Sequence, residues 1–411
     1  MRKKPPFQAR RAAIPLVLLA ASVAAVAVSL LRDTVDALSG FLFVAAVLLF
    51  LAAVGEALTV AFRAGDTTVA NVRLVFAATT IAVLGAEAFL RYGTTRLSSY
   101  QELNGLGYGS VYFNYTPGRF RIHAKSSVAE YDKTEFSFFR QTNSLGLSDH
   151  EPDPVKGPDE FRIVALGDSF TEGVGTTLEG SWPKVVETAL REKYPGRTIN
   201  VINAGISGSD PVYEYVLLKE RLLALRPDLV LLDINTSDLA DIVVRGGEER
   251  IAGDGPLRPG PRWEFIYARS YIVRGVIKDL LGYSWLLIPA SRMPAAERQA
   301  AETIRSVIGA FQALCDESGI GFAVIINPMQ QHIKSGKYGG RFDQLVEDLH
   351  VGLRHPPLDL LETYRRGGVI TPRSASRYYF PFDLHHTPDG YRLMGDAVAA
   401  YVEEAGLLNG R

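Results

Sequence analysis

Phe161-Arg162-Ile163-Val164-Ala165-Leu166-Gly167-Asp168-Ser169-Phe170-Thr171-Glu172-Gly173 decides how this chain reads. The apolar run from Phe161 to Leu166, closed by Gly167, has the length and punctuation of a buried parallel-sheet strand. Ligands of open α/β sheets bind outside the carboxyl ends of the strands, and Ser169 falls there. Ser169-Phe170-Thr171-Glu172 also fits the S-x-x-E capping box that starts ordinary helices. Other motifs are excluded. Leu178 stands where a dinucleotide fingerprint beginning at Gly173-Val174-Gly175 needs its third Gly, and no Gly-Lys-Ser/Thr follows for a phosphate loop. Thr171 occupies the place of the second Gly in a G-x-S-x-G elbow.

Beyond Gly173, strand-like runs recur at Ile199 to Ile202, Leu229 to Ile234, Phe322 to Ile326 and Leu358 to Leu361, with amphipathic helical patterns between most of them. Such alternation predicts an α/β fold, a parallel sheet with helices on both faces. The longest interruption is residues 239–300, with Arg245-Gly246-Gly247, a Gly- and Pro-rich run from Gly253 to Pro261 and an apolar stretch from Phe265 to Ile288. A segment of that length within a domain suits a lid or binding insertion. Its Trp285-Leu286-Leu287-Ile288 suits either a membrane surface or packing on the domain.

A serine nucleophile needs a base, an orienting carboxylate and oxyanion donors. The C-terminal Asp383-Leu384-His385-His386-Thr387-Pro388-Asp389-Gly390-Tyr391 offers the first two. With Gly167-Asp168-Ser169-Phe170 and Asn203-Ala204-Gly205-Ile206-Ser207-Gly208, three motifs in order, the chain resembles the SGNH/GDSL hydrolase family over roughly residues 160 to 405. The resemblance implies a flavodoxin-like three-layer sandwich and a triad of Ser169, His385 and Asp383. The oxyanion donors it implies are Ser169, Gly208 and a residue of the third motif. That motif normally reads Gly-x-Asn-Asp. Here it is Asn235-Thr236-Ser237-Asp238, so Ser237 stands for the Asn and Asn235 for the Gly, and a weaker or altered activity is expected. His385 keeps the family's five-residue spacing to Gly390, in an Asp-x-His-x-Thr-Pro string like that of alginate acetyltransferase-like members. His386, in the commoner Asp-x-x-His spacing, is the alternative base.

With 44 basic and 45 acidic residues, nothing in the charge points to nucleic acid. The single Cys315 excludes an internal disulfide, and its apolar helical context reads as a packed core thiol. No metal is expected, since two adjacent histidines converge poorly on one ion, and no cofactor is implied. Apolar runs at Ala12 to Leu31, Ala37 to Phe62 and Val72 to Leu90 each approach the ~20 residues that span a bilayer. Arg2, Lys3, Lys4, Arg10 and Arg11 lie on the same side as Arg63 and Arg73, which predicts a cytoplasmic face there and an extracytoplasmic location after Leu90. Glu56 is expected to meet Arg73, and Glu87 to be neutralised by Arg91 at i,i+4.

The expected organisation is a three-helix anchor over 1–95, an aromatic-rich collar over 96–160 with Tyr108, Tyr112, Phe113, Tyr115 and Phe120, and a hydrolase domain over 161–411. Tyr378-Tyr379-Phe380-Pro381-Phe382 suits either an acyl- or sugar-binding wall or core. The implied function is a membrane-anchored esterase acting on acylated envelope glycan or lipid. An O-acyltransferase using the same triad, or a non-catalytic glycan-binding or assembly protein, stays open.

Overall fold

The computed structural model describes residues 7–31, 37–93, 128–132, 135–245, 263–283, 288–368 and 370–409. The chain forms two compact units, one of Met1–Ser110 with Pro259–Met293, the other of Val111–Arg258 with Pro294–Arg411. The five collar aromatics, the Gly- and Pro-rich run of the insertion and Trp285-Leu286-Leu287 lie outside the described residues.

In the first unit, helices α1 (Phe7–Leu30), α2 (Ala37–Ala61) and α3 (Asp66–Gly93) are each long and apolar enough to cross a membrane. Several of their charged groups are paired. Arg11 of α1 forms an ion pair with Asp66 at the start of α3 and donates to Ala64 O at 3.2 Å. Arg73 meets Glu56, with Nη2 3.0 Å from Oε2. Glu87 is fully buried, and its i,i+4 pairing with Arg91 (3.2 Å) is present. Glu87 also does something the sequence did not announce. Its carboxylate accepts the backbone amides of Tyr271 (2.8 Å) and Ile272 (3.1 Å) and the Ser270 hydroxyl (3.0 Å). It thereby satisfies the first amides of the short helix Tyr271–Gly275, which have no partner within the helix. Part of the 239–300 insertion is thus built into the helical unit, with Ile288 buried.

The second unit opens with an antiparallel hairpin of β1 (Val128–Asp132) and β2 (Ser137–Gln141). A five-stranded parallel sheet follows, built from β3 (Glu160–Gly167), β4 (Thr198–Gly205), β5 (Leu229–Ile234), β6 (Gly321–Ile326) and β7 (Leu358–Asp359) in the order β4-β3-β5-β6-β7. All six residues of β5 are buried, as a central strand covered on both faces requires. Ile163, Ala165, Leu229, Leu231, Ala323 and Ile325 point to one face and join a core with Trp182 and Val398. From the other face Phe322 stacks on Phe311 at 5.6 Å. The result is the expected three-layer α/β sandwich.

The expected strand at Leu358 to Leu361 is shorter in the structure. Asp359 accepts the amides of Leu361 (2.9 Å) and Glu362 (3.2 Å), so Leu360 already begins a helix and only Leu358–Asp359 pair with β6. Cys315 is buried, as its context implied.

Candidate active site

Strand β3 ends at Gly167 and turns at once into α4 (Ser169–Glu172), one turn long. The S-x-x-E capping box does not form. Asp168 caps α4 instead, its Oδ1 accepting the Phe170 amide at 2.8 Å, and the Glu172 carboxylate turns away to Ser207, Ser148 and Arg140. This leaves the Ser169 hydroxyl at the strand's carboxyl end. The close approach of α4 to β4 depends on Gly205, where a Cβ would lie 2.1 Å from the Glu172 amide nitrogen.

The histidine arrives 216 residues later. His385 Nε2 lies 2.7 Å from Ser169 Oγ, and Nδ1 hydrogen-bonds the Asp383 carboxylate. The intervening Leu384 has φ +73, a left-handed conformation unusual for a branched residue, and this sharp turn lets both neighbours aim inward. His386 points the opposite way. It is fully buried, with Nδ1 3.3 Å from Tyr378 O and Nε2 3.1 Å from Asn327 Oδ1, and burial pushes its pKa down to about 3. His385 is therefore the histidine that faces Ser169, and His386 belongs to the core between Tyr379, Tyr391 and Phe170.

Gly208 lies in the loop after β4 at φ +77, a conformation that costs glycine little. Neither its amide nor that of Ser169 is engaged by an acceptor among the described residues. The third motif packs against the nucleophile turn. Asn235 Nδ2 donates to Asp168 Oδ2 at 3.0 Å, and Ser237 Oγ sits 2.7 Å from Asn235 Oδ1 and 3.4 Å from Asp168 Oδ2. Both side chains are thus committed to the nucleophile turn. Asp168 is held above the ordinary carboxylate range by burial, which its hydrogen bonds only partly offset. Behind it, Asp233, Glu214 and Asp238 are pushed well up by burial, with neighbouring carboxylates adding to the effect.

Of the aromatic run before Asp383, Tyr379 is core and Phe382 is 83% exposed. Phe380 packs on Phe136 at 4.3 Å. Among the described residues no group of His, Cys, Asp and Glu suits a metal ion.

Sheet, turn and Ser169–His385–Asp383 arrangement together define an α/β protein with the side-chain geometry of a serine hydrolase. Residues 165–393 match the GDSL-like Lipase/Acylhydrolase family, and this chain belongs to that family. It is 35% identical over 77 residues to an arylesterase of Vibrio mimicus, a match covering 19% of this chain and 38% of that protein. Similar solved structures include a lipase/acylhydrolase from Enterococcus faecalis, at 15% identity over 59% of this chain and 96% of that one, with a TM-score of 0.37. A two-domain esterase active on acetylated mannans is 14% identical over 60% of this chain and 50% of that one, with a TM-score of 0.36.

Proposed function

We propose that this chain is a membrane-anchored serine esterase that removes O-acyl groups, with Ser169 as nucleophile, His385 as general base and Asp383 as the orienting carboxylate. The observation that carries this reading is the 2.7 Å contact between Ser169 Oγ and His385 Nε2, with Asp383 on the opposite ring nitrogen. As Ser169 Oγ attacks the acyl carbonyl carbon, its proton passes to His385 Nε2, and Asp383 stabilises the imidazolium. The Ser169 and Gly208 amides receive the oxyanion. Collapse breaks the ester C–O bond, and the proton returns from Nε2 to the departing alkoxide. Water then repeats the sequence and frees the acid. Ser237 and Asn235 serve in this scheme through Asp168, by fixing the turn that carries Ser169.

Three apolar helices support anchoring, and the basic flanks of α1 to α3 support an extracytoplasmic catalytic domain, with an envelope glycan or lipid ester as substrate. A second reading is favoured by one observation. The string Asp383-Leu384-His385-His386-Thr387-Pro388, similar to that of alginate acetyltransferase-like members, suits passage of the acyl group to a sugar hydroxyl in place of water.

A serine-directed fluorophosphonate probe tests the first reading. Wild-type protein is expected to label, Ser169→Ala and His385→Ala to lose labelling, and folded His386→Ala to keep it. Ester hydrolysis should fall by at least about 1,000-fold in Ser169→Ala. Folded wild-type protein that neither labels nor hydrolyses any acyl ester would overturn the enzymatic reading. Faster transfer to an added glycan than to water would replace esterase by transferase.

A further inference from the structure

We propose that residues 135–140, upstream of the family-matched segment, clamp the active-site loops, and that Glu135 is a positioning residue for Asp383. This rests on the triad reading above.

The contacts converge from one short stretch. Glu135 Oε2 accepts the backbone amides of Phe382 (2.9 Å) and Asp383 (2.7 Å), across 247 and 248 residues of sequence. Next to it, Phe136 packs on Phe380 with ring centroids 4.3 Å apart. At the far end of the stretch, Arg140 Nη2 donates to Glu172 Oε2 (2.9 Å) and lies 3.1 Å from Ser207 Oγ. Glu172 also accepts the Ser207 amide at 2.9 Å and the Ser148 hydroxyl at 2.8 Å. Glu172 ends the helical turn that Ser169 begins, and Ser207 directly precedes Gly208. One segment of six residues therefore holds the loops of the nucleophile, the proposed oxyanion donor and the orienting acid.

The Asp383 loop needs such a hold. Leu384 sits at φ +73, so the turn between Asp383 and His385 stores backbone strain and gains nothing locally by keeping that shape. Two amides donating to one carboxylate oxygen are charge-assisted hydrogen bonds, and they fix the backbone from which the Asp383 side chain reaches His385 Nδ1. The Ser–His–Asp motifs carry no trace of this, because the acceptor lies outside all of them.

The test uses the full chain in detergent micelles, with p-nitrophenyl acetate as the probe and wild type, E135A, E135Q and S169A as the proteins. E135A is expected to lower kcat about 10-fold while KM stays within about 2-fold, the signature of lost transition-state alignment. Hydrogen–deuterium exchange over residues 380–385 is expected to quicken in E135A, with the melting temperature held. E135Q keeps a carbonyl acceptor for both amides and should restore slow exchange and most of kcat. Unchanged exchange in E135A, or a loss that Gln fails to rescue, overturns the proposal. If the wild type shows no Ser169-dependent hydrolysis, the esterase reading fails by itself, and the exchange comparison still decides whether Glu135 holds the loop.

Discussion

His385 and His386 adjoin in sequence and sit in opposite surroundings. The His385 side chain is 20% exposed and faces Ser169, whereas His386 has no exposed surface. A neutral imidazole donates from one nitrogen only, so if Nδ1–H serves Tyr378 O, Nε2 must accept. Asn327 then has to turn its amide nitrogen toward His386. The pH consequence has a definite sign. His386 has a folded pKa near 3 against about 6.5 unfolded, so its contribution to stability is full above about 6.5 and is withdrawn as pH falls from there toward 3. The raised pKa values of Asp233, Glu214 and Asp238 work in the opposite direction, favouring the fold at low pH, and the difference between proteins isolates the histidine. Melting temperature measured from pH 7 to 4 should fall less steeply in His386→Gln than in wild type, although the variant starts lower. Equal slopes would mean that His386 is not held neutral.

At the scale of elements, the turn after β3 depends on what the neighbouring strand lacks. A Cβ at Gly205 would meet the Glu172 amide nitrogen at 2.1 Å and the Thr171 carbonyl carbon at 2.5 Å, both backbone atoms that no rotamer change can move aside. Gly205→Ala is expected to cost at least about 2 kcal/mol in thermal or denaturant unfolding and to weaken probe labelling of Ser169. Gly309, exposed in the helix Met293–Glu317 with nothing near its Cβ position, is the contrasting site. Gly309→Ala should stabilise by about 0.5–1 kcal/mol in the same unfolding measurement and leave labelling alone. These elements also show what the sequence carries. Strands β3 to β6 were legible because a buried parallel strand is a short apolar run ending at Gly or a polar turn. Ser169, Asp383 and the histidine pair were legible as motifs. The Leu360 helix start was hidden because Leu358 to Leu361 is apolar throughout, and only the Asp359 cap decides where the strand stops. Glu135 and Arg140 were illegible, since their partners lie 32 to 248 residues away and no local pattern marks a long-range acceptor.

At the scale of the whole chain, sequence pattern found three helices long and apolar enough to span a membrane but not what their polar residues are for. Glu87 reads locally as one half of an i,i+4 pair, yet its carboxylate satisfies the start of the Tyr271–Gly275 helix, which ties residues 264–275 to α3. The proposed orientation rests on charge. Arg11 meets Asp66 and the Ala64 carbonyl, so the start of α1 and the α2–α3 turn lie at one end of the helical unit, together with Arg63 and the Glu56–Arg73 pair. In the topology proposed above, the basic residues concentrated at that end place it in the cytoplasm and Gly93, at the end of α3, on the opposite side. A C-terminal fusion to a reporter that matures only after export should therefore be active, and a fusion to one active only in the cytosol should be silent. The same pair fused after Arg63 should give the reverse. A cytosol-active C-terminal fusion would place the Ser169 site inside the cell, and an extracytoplasmic glycan or lipid ester would then be out of its reach.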